Sequence, residues 1–503
     1  MVYRLVIASI VSMMLALVLP KASVADGQGT LMVGLESDLR SFDIWKANSF
    51  GTSGVHIASA IMEPLLDRSE NGAYLPVLAE SWKVSSSKLI WTFKLRQDVK
   101  FHDGNNFSAQ DVVYHFKRLL SSKNKSAIRS VLAPIRKVEA AGRFAVRFVL
   151  RKPWPAILQT LAARSSISLI PPVGAVKSGK HHRKPVGTGP FRFVSWKNNR
   201  RLVVEENPDY RVKGQPKLSR IVFEIEPDEK IRFASLRAGK LDIVQGNLPA
   251  HIDAATEHSD VNTLVYDGPG AEVILLNTRR EPLNDWRVRQ AIAHAWNQKS
   301  IIENIYGNHI MAVSNPYQGL FECGDVAFRK YDIKKSKKLV AAYGKAIRLE
   351  YVHTGAQISK LLAKTFKAQM KKAGIKVRLS KLGEKQLLKS VFSRNYMSSS
   401  WRIIGDVDQA TQMAALTGSA SAYNLIGIKN DKIDALNAAI AGSTNPRKRE
   451  KNLCNIVKII NEEAVLLWQG GQRLHTFVGN RVGGMAESRT RVILFHKVSV
   501  KSS

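Results

Sequence analysis

The chain has 503 residues, with 76 Lys and Arg against 41 Asp and Glu, a formal net charge of +35. Hydrophobic residues make up 45% and charged residues 23%, ordinary globular usage that excludes a disordered chain, a collagen and a small disulfide scaffold. A single core stops growing at roughly 250–300 residues, so this length needs at least two core-bearing domains, and the cationic excess favours acidic partners without specifying one.

Met1 to Ala25 reads as a signal peptide. Arg4 supplies a positive start, Leu5 to Leu19 is apolar and uncharged, Pro20 breaks the run, and Ser23-Val24-Ala25 offers small residues for cleavage. The apolar run falls short of the roughly 20 residues that a spanning helix needs, so the expectation is export and a mature chain starting near Asp26. No Cys follows the run, which argues against a lipid anchor.

Thr30 to Leu35 alternates as a strand, and Ser53 to Leu66 has helical spacing up to the break at Glu63-Pro64. Leu89 to Leu95 is a half-buried strand, and Ser108 with Asp111 three residues on predicts a capping box that opens a helix. Strands are expected at Ala145 to Leu150, Phe191 to Trp196, Leu202 to Glu206 and Ile221 to Glu226. Helices are expected at Lys230 to Lys240 and Val288 to Ile305. Asp332 caps a helix to about Ala342, Ile347 to Val352 is a strand, Gly374 stops a helix over Gln357 to Ala373, and Ile375 to Leu379 is a strand. Ala464 to Trp468 reads as a short buried strand. Alternation of strands and helices at these lengths predicts α/β units. Cys323 and Cys454 form either one disulfide or two separate buried thiols, and no Cys or His cluster has metal-ligand spacing.

A series of short motifs follows in order. Glu63-Pro64-Leu65-Leu66 precedes Pro76-Val77-Leu78-Ala79-Glu80-Ser81-Trp82, then Trp91-Thr92-Phe93 and Val99-Lys100-Phe101-His102-Asp103-Gly104. Gly187-Thr188-Gly189-Pro190-Phe191, Asn207-Pro208-Asp209-Tyr210, Leu275-Leu276-Asn277-Thr278 and Asp285-Trp286-Arg287-Val288-Arg289-Gln290-Ala291-Ile292 complete it. Together these resemble the extracellular solute-binding proteins of the peptide/nickel (oligopeptide/dipeptide-binding) family of ATP-driven (ABC) importers, over nearly the whole mature chain. Singly each has a plain reading: His102 is a turn residue, and Gly187-Thr188-Gly189-Pro190 is a tight turn rather than a phosphate loop, since it lacks the Lys-Ser/Thr ending.

The resemblance implies an α/β, two-lobe periplasmic binding protein fold (type II, cluster C-like) with an extra subdomain in the first lobe. The first lobe would be residues 26–268 and 472–503, with the subdomain at about 56–184, and the second lobe 269–471. It implies a periplasmic monomer that takes a peptide or small-molecule ligand to a permease in the inner membrane, without a cofactor, a metal, nucleic acid or catalysis. Haem, a nickel chelate or another acidic small molecule is the alternative cargo.

The stretch from Ser400 to Asp408 is similar to the family's cleft loop, in which a Trp precedes acidic residues. Dipeptide-binding relatives place an Asp three residues after that Trp, where this chain has Ile404, and an Arg in the loop that reads His353-Thr354-Gly355-Ala356-Gln357 here. Both departures argue against a strict dipeptide clamp. The candidate ligand-binding residues are Trp401, which either stacks on a ligand or belongs to the core, and Asp406 and Asp408, which are either ligand or loop-capping carboxylates, then Tyr423 and Asn424, with Trp45 and Asn48 on the side of the first lobe. Two rival classes lack support. A nucleic-acid protein would interleave aromatic and basic residues in one stripe, and a hydrolase would need converging acids. Glu205/Glu206 and Glu462/Glu463 are adjacent and diverge, and no GxSxG elbow occurs.

Overall fold

Alternating apolar residues build ten strands that join one mixed sheet. In chain order they are β1 (Thr30–Leu35), β2 (Phe191–Lys197), β3 (Arg201–Glu206), β4 (Arg220–Ile225) and β5 (Ile243–Gly246), then β6 (Val261–Leu276), β7 (Arg348–His353), β8 (Lys376–Lys381), β9 (Ser398–Ile404) and β10 (Leu466–Gly479). Their order in space is β8-β7-β9-β6-β10-β5-β1-β4-β3-β2. The computed structural model describes residues 29–43, 45, 53–69, 72–123, 128–165, 167–317, 320–324, 326–404, 408–485 and 492–501. The expected signal segment, Asn48 and Asp406 lie outside them.

Eight helices position the site and its surroundings: α1 (Ala109–Leu120), α2 (Pro249–Glu257), α3 (Trp286–Ala295), α4 (Ile333–Tyr343), α5 (Gln357–Lys372), α6 (Glu384–Phe392), α7 (Gln409–Thr417) and α8 (Pro446–Glu463). Their starts follow the capping chemistry that the sequence suggests. Asp111 accepts from the backbone and hydroxyl of Ser108, and Asp332 and Asp285 accept from the backbone N–H groups of Lys335 and Arg287. One expected helix is divided. Instead of running from Val288 to Ile305, α3 ends at Ala295, and Asn297 caps a second helix, Gln298–Asn304, by accepting from the backbone N–H of Ser300.

The first half of the sheet, β5-β1-β4-β3-β2, carries an inserted four-stranded antiparallel sheet formed by Ala79–Val84, Ile90–Leu95, Ala145–Leu150 and Ile135–Ala140, with α1 against it. The larger core of this half takes in residues near the C-terminus such as Val478, Ile493 and Phe495, and a smaller one gathers Phe233, Leu236, Val244, Ile252 and Phe477. The second half, β9-β7-β8, has separate cores on its two faces, both drawn from residues 271–468. Cys323 and Cys454 are bonded, tying the 320–324 loop to α8. This α/β arrangement is the expected fold class.

β6 and β10 run through both halves, paired antiparallel from Val261 opposite Gly479 to Leu275 opposite Leu466. Their register shifts twice, between Asp267 and Ala271 and between Glu272 and Val273, where β10 passes Gly470 and Gly471. Bulges bend and twist a strand pair locally. Here they need glycine: a Cβ on Gly470 would lie 2.3 Å from Ile310, and Gly270 has φ +126°. The amide N–H groups of Gly270 and Gly471 donate to the carbonyls of Pro316 and Met311, and Arg473 grips Asp267 with two nitrogens, each at 2.5 Å.

Burial holds four imidazoles neutral. His115, His181, His475 and His496 each have a pKa lowered from 6.5 to about 4, with desolvation the largest cause. The unfolded chain then binds more protons than the folded one between those values, so stability falls as pH drops from 6.5 towards 4. Urea titrations should show the midpoint moving to lower urea across that window. A midpoint constant over the same range would contradict this protonation scheme.

Candidate functional site

Motifs that are far apart in the chain converge on Glu63, which is 3% exposed. Its carboxylate accepts from Arg211 at 2.7 Å, from the Tyr210 hydroxyl at 3.0 Å and from Thr188 at 3.0 Å. A buried carboxylate requires such donors, because an unpaired one would cost several kcal/mol. Burial, with Glu63 next, raises the Tyr210 pKa and keeps it a hydrogen-bond donor. Gly187 and Gly189 let this turn meet the end of the helix Gly54–Ile61, since a Cβ on Gly187 would lie 2.0 Å from the Ile61 carbonyl. His102 closes the arrangement: it accepts from the N–H of Gly187 and donates to the carbonyl of Gly189. Burial lowers its pKa, in keeping with this neutral tautomer.

Beside this network lies a cavity of about 650 Å³, a volume typical of sites for small solutes. Its lining residues come from the first half, from the stretches of β6 and β10 that pair beside it, and from the C-terminal segment. Glu63, Tyr210, Arg211 and the ion pair Arg164–Asp67 (2.6 Å) form a polar end, while Leu75, Val77, Leu264, Leu474 and Ile493 form apolar walls. Arg68 and Lys497, both exposed, give it a cationic rim. The hairpin of Leu66–Arg68 and Tyr74–Pro76 is one wall. Burial raises the pKa of Tyr74 on that hairpin, the Arg68 charge opposes the rise, and the Asp408 carboxylate adds to it, so the N-terminus of α7 lies close by.

The second half contributes an aromatic ridge. The ring of Phe392, at the end of α6, meets Trp401 and Tyr423 edge-on, with centroids 5.7 Å away in each case. Phe392 is 39% exposed and stands off the buried stripe of Leu387 and Val391, a signal legible in the sequence that the motif reading passed over. Burial raises the Tyr423 pKa. Contacts also join the halves: Arg40 lies 3.9 Å from Glu384 on α6, and His309 lies 2.8 Å from Asp253 on α2. Arg402 of β9 pairs with Glu272 of β6, which is the main cause of its raised pKa, and Glu36 just after β1 adds to it.

The expected ligand residues divide. Trp401 and Tyr423 are brought together through Phe392. Asn424 is fully buried inside its own loop: its amide donates to the carbonyls of Gly418 and Ile428 and accepts from the N–H of Gly427. Trp45 is 3% exposed, with the Arg118 guanidinium 4.3 Å from its ring centre and His115 alongside. Asp408 caps α7 by accepting from the backbone and hydroxyl of Thr411, and its other oxygen meets Arg449 at 3.1 Å. Among the described residues no group of His, Cys, Asp or Glu is arranged to hold a metal ion.

The two roles of Asp408 are separable. Asn caps as well as Asp, so Asp408→Asn loses only the Arg449 pair, whereas Asp408→Ala loses the cap as well. Urea unfolding should place the Ala variant about 1 kcal/mol below the Asn variant. Equal stability of the two would show that the cap contributes nothing.

The matched family model, described as bacterial extracellular solute-binding proteins, family 5 Middle, spans residues 73–424. The chain is 30% identical over 368 residues to the nickel-binding periplasmic protein of Escherichia coli (strain K12), covering 67% of this chain and 68% of that protein. It is 29% identical over 307 residues to di/tripeptide-binding protein 2 of Pseudomonas aeruginosa (strain UCBPP-PA14), covering 54% of this chain and 56%, little more than half, of that relative. Its fold matches the dipeptide binding protein of Pseudoalteromonas sp. SM9913 in complex with Met-Leu, with a TM-score of 0.86 at 20% identity, over 94% of this chain and 100% of that one. With two thirds of its length under the family model, the chain belongs to the bacterial extracellular solute-binding proteins of family 5.

Proposed function

We propose that the protein is exported to the periplasm as a monomer, captures a peptide or a similarly sized solute between its two halves, and delivers it unchanged to an ABC permease. The observation that carries this reading is the pair of strands β6 and β10, which cross between separately cored halves at two bulges. Residues 26–268 with 472–503 act as one lobe, with residues 56–184 as its subdomain, and residues 269–471 act as the other. A solute that touches both lobes only when they close has differential affinity for the closed form, and so shifts the hinge equilibrium.

In this reading the cavity beside Glu63 receives the solute, and Trp401, Phe392 and Tyr423 cover it. Arg68 and Lys497 at the mouth suit a ligand carboxylate. They take the part of the Arg that the loop after β7 lacks. The same cationic mouth supports a second reading, a carboxylate-bearing metal chelate, in line with the nickel-binding relative. Neither reading requires the protein to change a bond in its cargo.

Native mass spectrometry of protein purified from its own envelope identifies a retained solute, and calorimetry then measures its affinity. Phe392→Ala and Trp401→Ala should each weaken binding by roughly tenfold through lost aromatic contact. Arg68→Ala should weaken binding of a free carboxylate but not of the corresponding amide. Full affinity in all three variants would remove the ridge and the rim from the site. Absence of any retained or titratable solute would count against capture itself.

A further inference from the structure

The positive charge is not spread evenly. Residues 331–390 hold sixteen Lys and Arg against three Asp and Glu, a local excess of thirteen. The structure gathers much of it around one edge of the second half, where α5 packs on β7 and the edge strand β8. Leu362, Ala363, Phe366 and Met370 form the buried stripe of α5. Its outer stripe is Lys360, Lys364, Lys367 and Lys371, all exposed. Spacings of four, three and four residues put them on one face, a ridge about 16 Å long. Leu361, 40% exposed, lies beside it.

Like charges at this spacing destabilise a helix, and no acidic residue occurs anywhere in α5 to offset them. Edge-strand lysines such as Lys376 and Lys381 have a reason of their own, since they deter pairing with another chain. The α5 ridge has none within the fold. Among the described residues, none of the nine lysines of α4 and α5 makes a salt bridge, whereas the buried ion pairs of the chain are formed by Arg, as at Arg164, Arg211, Arg289 and Arg449.

We propose that the lysine ridge of α5, with the lysines of the edge strand β8 beside it, docks the protein on an anionic phospholipid surface. The choice of lysine favours lipid over a folded acidic partner or a nucleic acid. Those present fixed carboxylates or phosphates that the planar Arg fork reads with two bonds, and α4 and α5 contain no Arg. A hydrated point charge on a flexible stem suits a fluid array of headgroups, and the exposed Leu361 can reach the headgroup layer. Docking confines the search for a permease to the membrane plane and does not depend on which solute is bound.

The test is sedimentation of the purified chain with vesicles of phosphatidylglycerol in phosphatidylethanolamine, against vesicles of phosphatidylcholine alone. Each basic side chain at an anionic leaflet multiplies partitioning by about fivefold, so the variant Lys360→Gln, Lys364→Gln, Lys367→Gln, Lys371→Gln should lose about a hundredfold or more. A control of equal net charge, Lys83→Gln, Lys100→Gln, Lys117→Gln, Lys197→Gln, should stay within a few-fold of the wild type, and salt should release the wild type. Matching thermal melts exclude misfolding, and unchanged solute affinity in the ridge variant separates this result from failure of the capture reading. Wild type that ignores anionic vesicles, binding that is indifferent to salt, or equal losses in ridge and control variants would each overturn the proposal. So would binding to a solubilised permease without any binding to vesicles.

Discussion

The backbone pairing of β6 with β10 is the constraint on which the molecule depends. Both passages of the chain between the halves run through these two strands, so neither half can turn without the other strand of the pair turning too. Hydrogen bonds hold the ladder on either side of the bulges, so the proposed closure falls on a few residues around Gly268-Pro269-Gly270 and Gly470-Gly471. Hinges of this kind absorb large dihedral changes in few residues while packed cores move as units. Arg473 on Asp267, and the carbonyls of Pro316 and Met311, hold the bulge on its flanks, which favours a bend over local melting in the proposed closure.

Charge is divided between two tasks. Inside the first half, Glu63 and Asp67 are matched by Arg211 and Arg164, which order the wall of the cavity. These pairs contribute specificity of arrangement more than net stability, because desolvation offsets much of their attraction. Outside, lysine accounts for the concentrated charge of the second half. A formal charge of +35 is therefore a property of particular surfaces and says little about the fold.

The sequence carries the architecture where local chemistry and tertiary packing agree. The strand Thr30–Leu35 forms where expected, though buried on both faces rather than alternating, and the caps at Ser108 and Asp332 need only their neighbours and occur as the pattern implies. It is least legible at the hinge. β6 has no apolar alternation through Gly268-Pro269-Gly270, which reads as a turn, and only its partner strand makes it continuous. The division after Ala295 is tertiary too, since the Trp296 indole donates to the carbonyl of Trp468 and turns the chain there. At the candidate site, the Trp401 and Tyr423 positions come from motif order; Phe392 stands off the apolar stripe of α6 in the sequence too, but its contact with them, like the place of Arg68 on the rim, becomes visible only when helix and hairpin are placed. The capping role of Asp408 follows from the start of α7, and an acid before a helix gives no way to tell a cap from a ligand.

Small-angle X-ray scattering of the chain with and without saturating solute tests the central claim most directly. Closure of two cored halves about the β6–β10 bulges predicts a smaller radius of gyration and a loss of the scattering signature of a separated pair when solute is bound. Superimposable profiles in the two states, with binding verified on the same samples, would contradict capture by hinge closure.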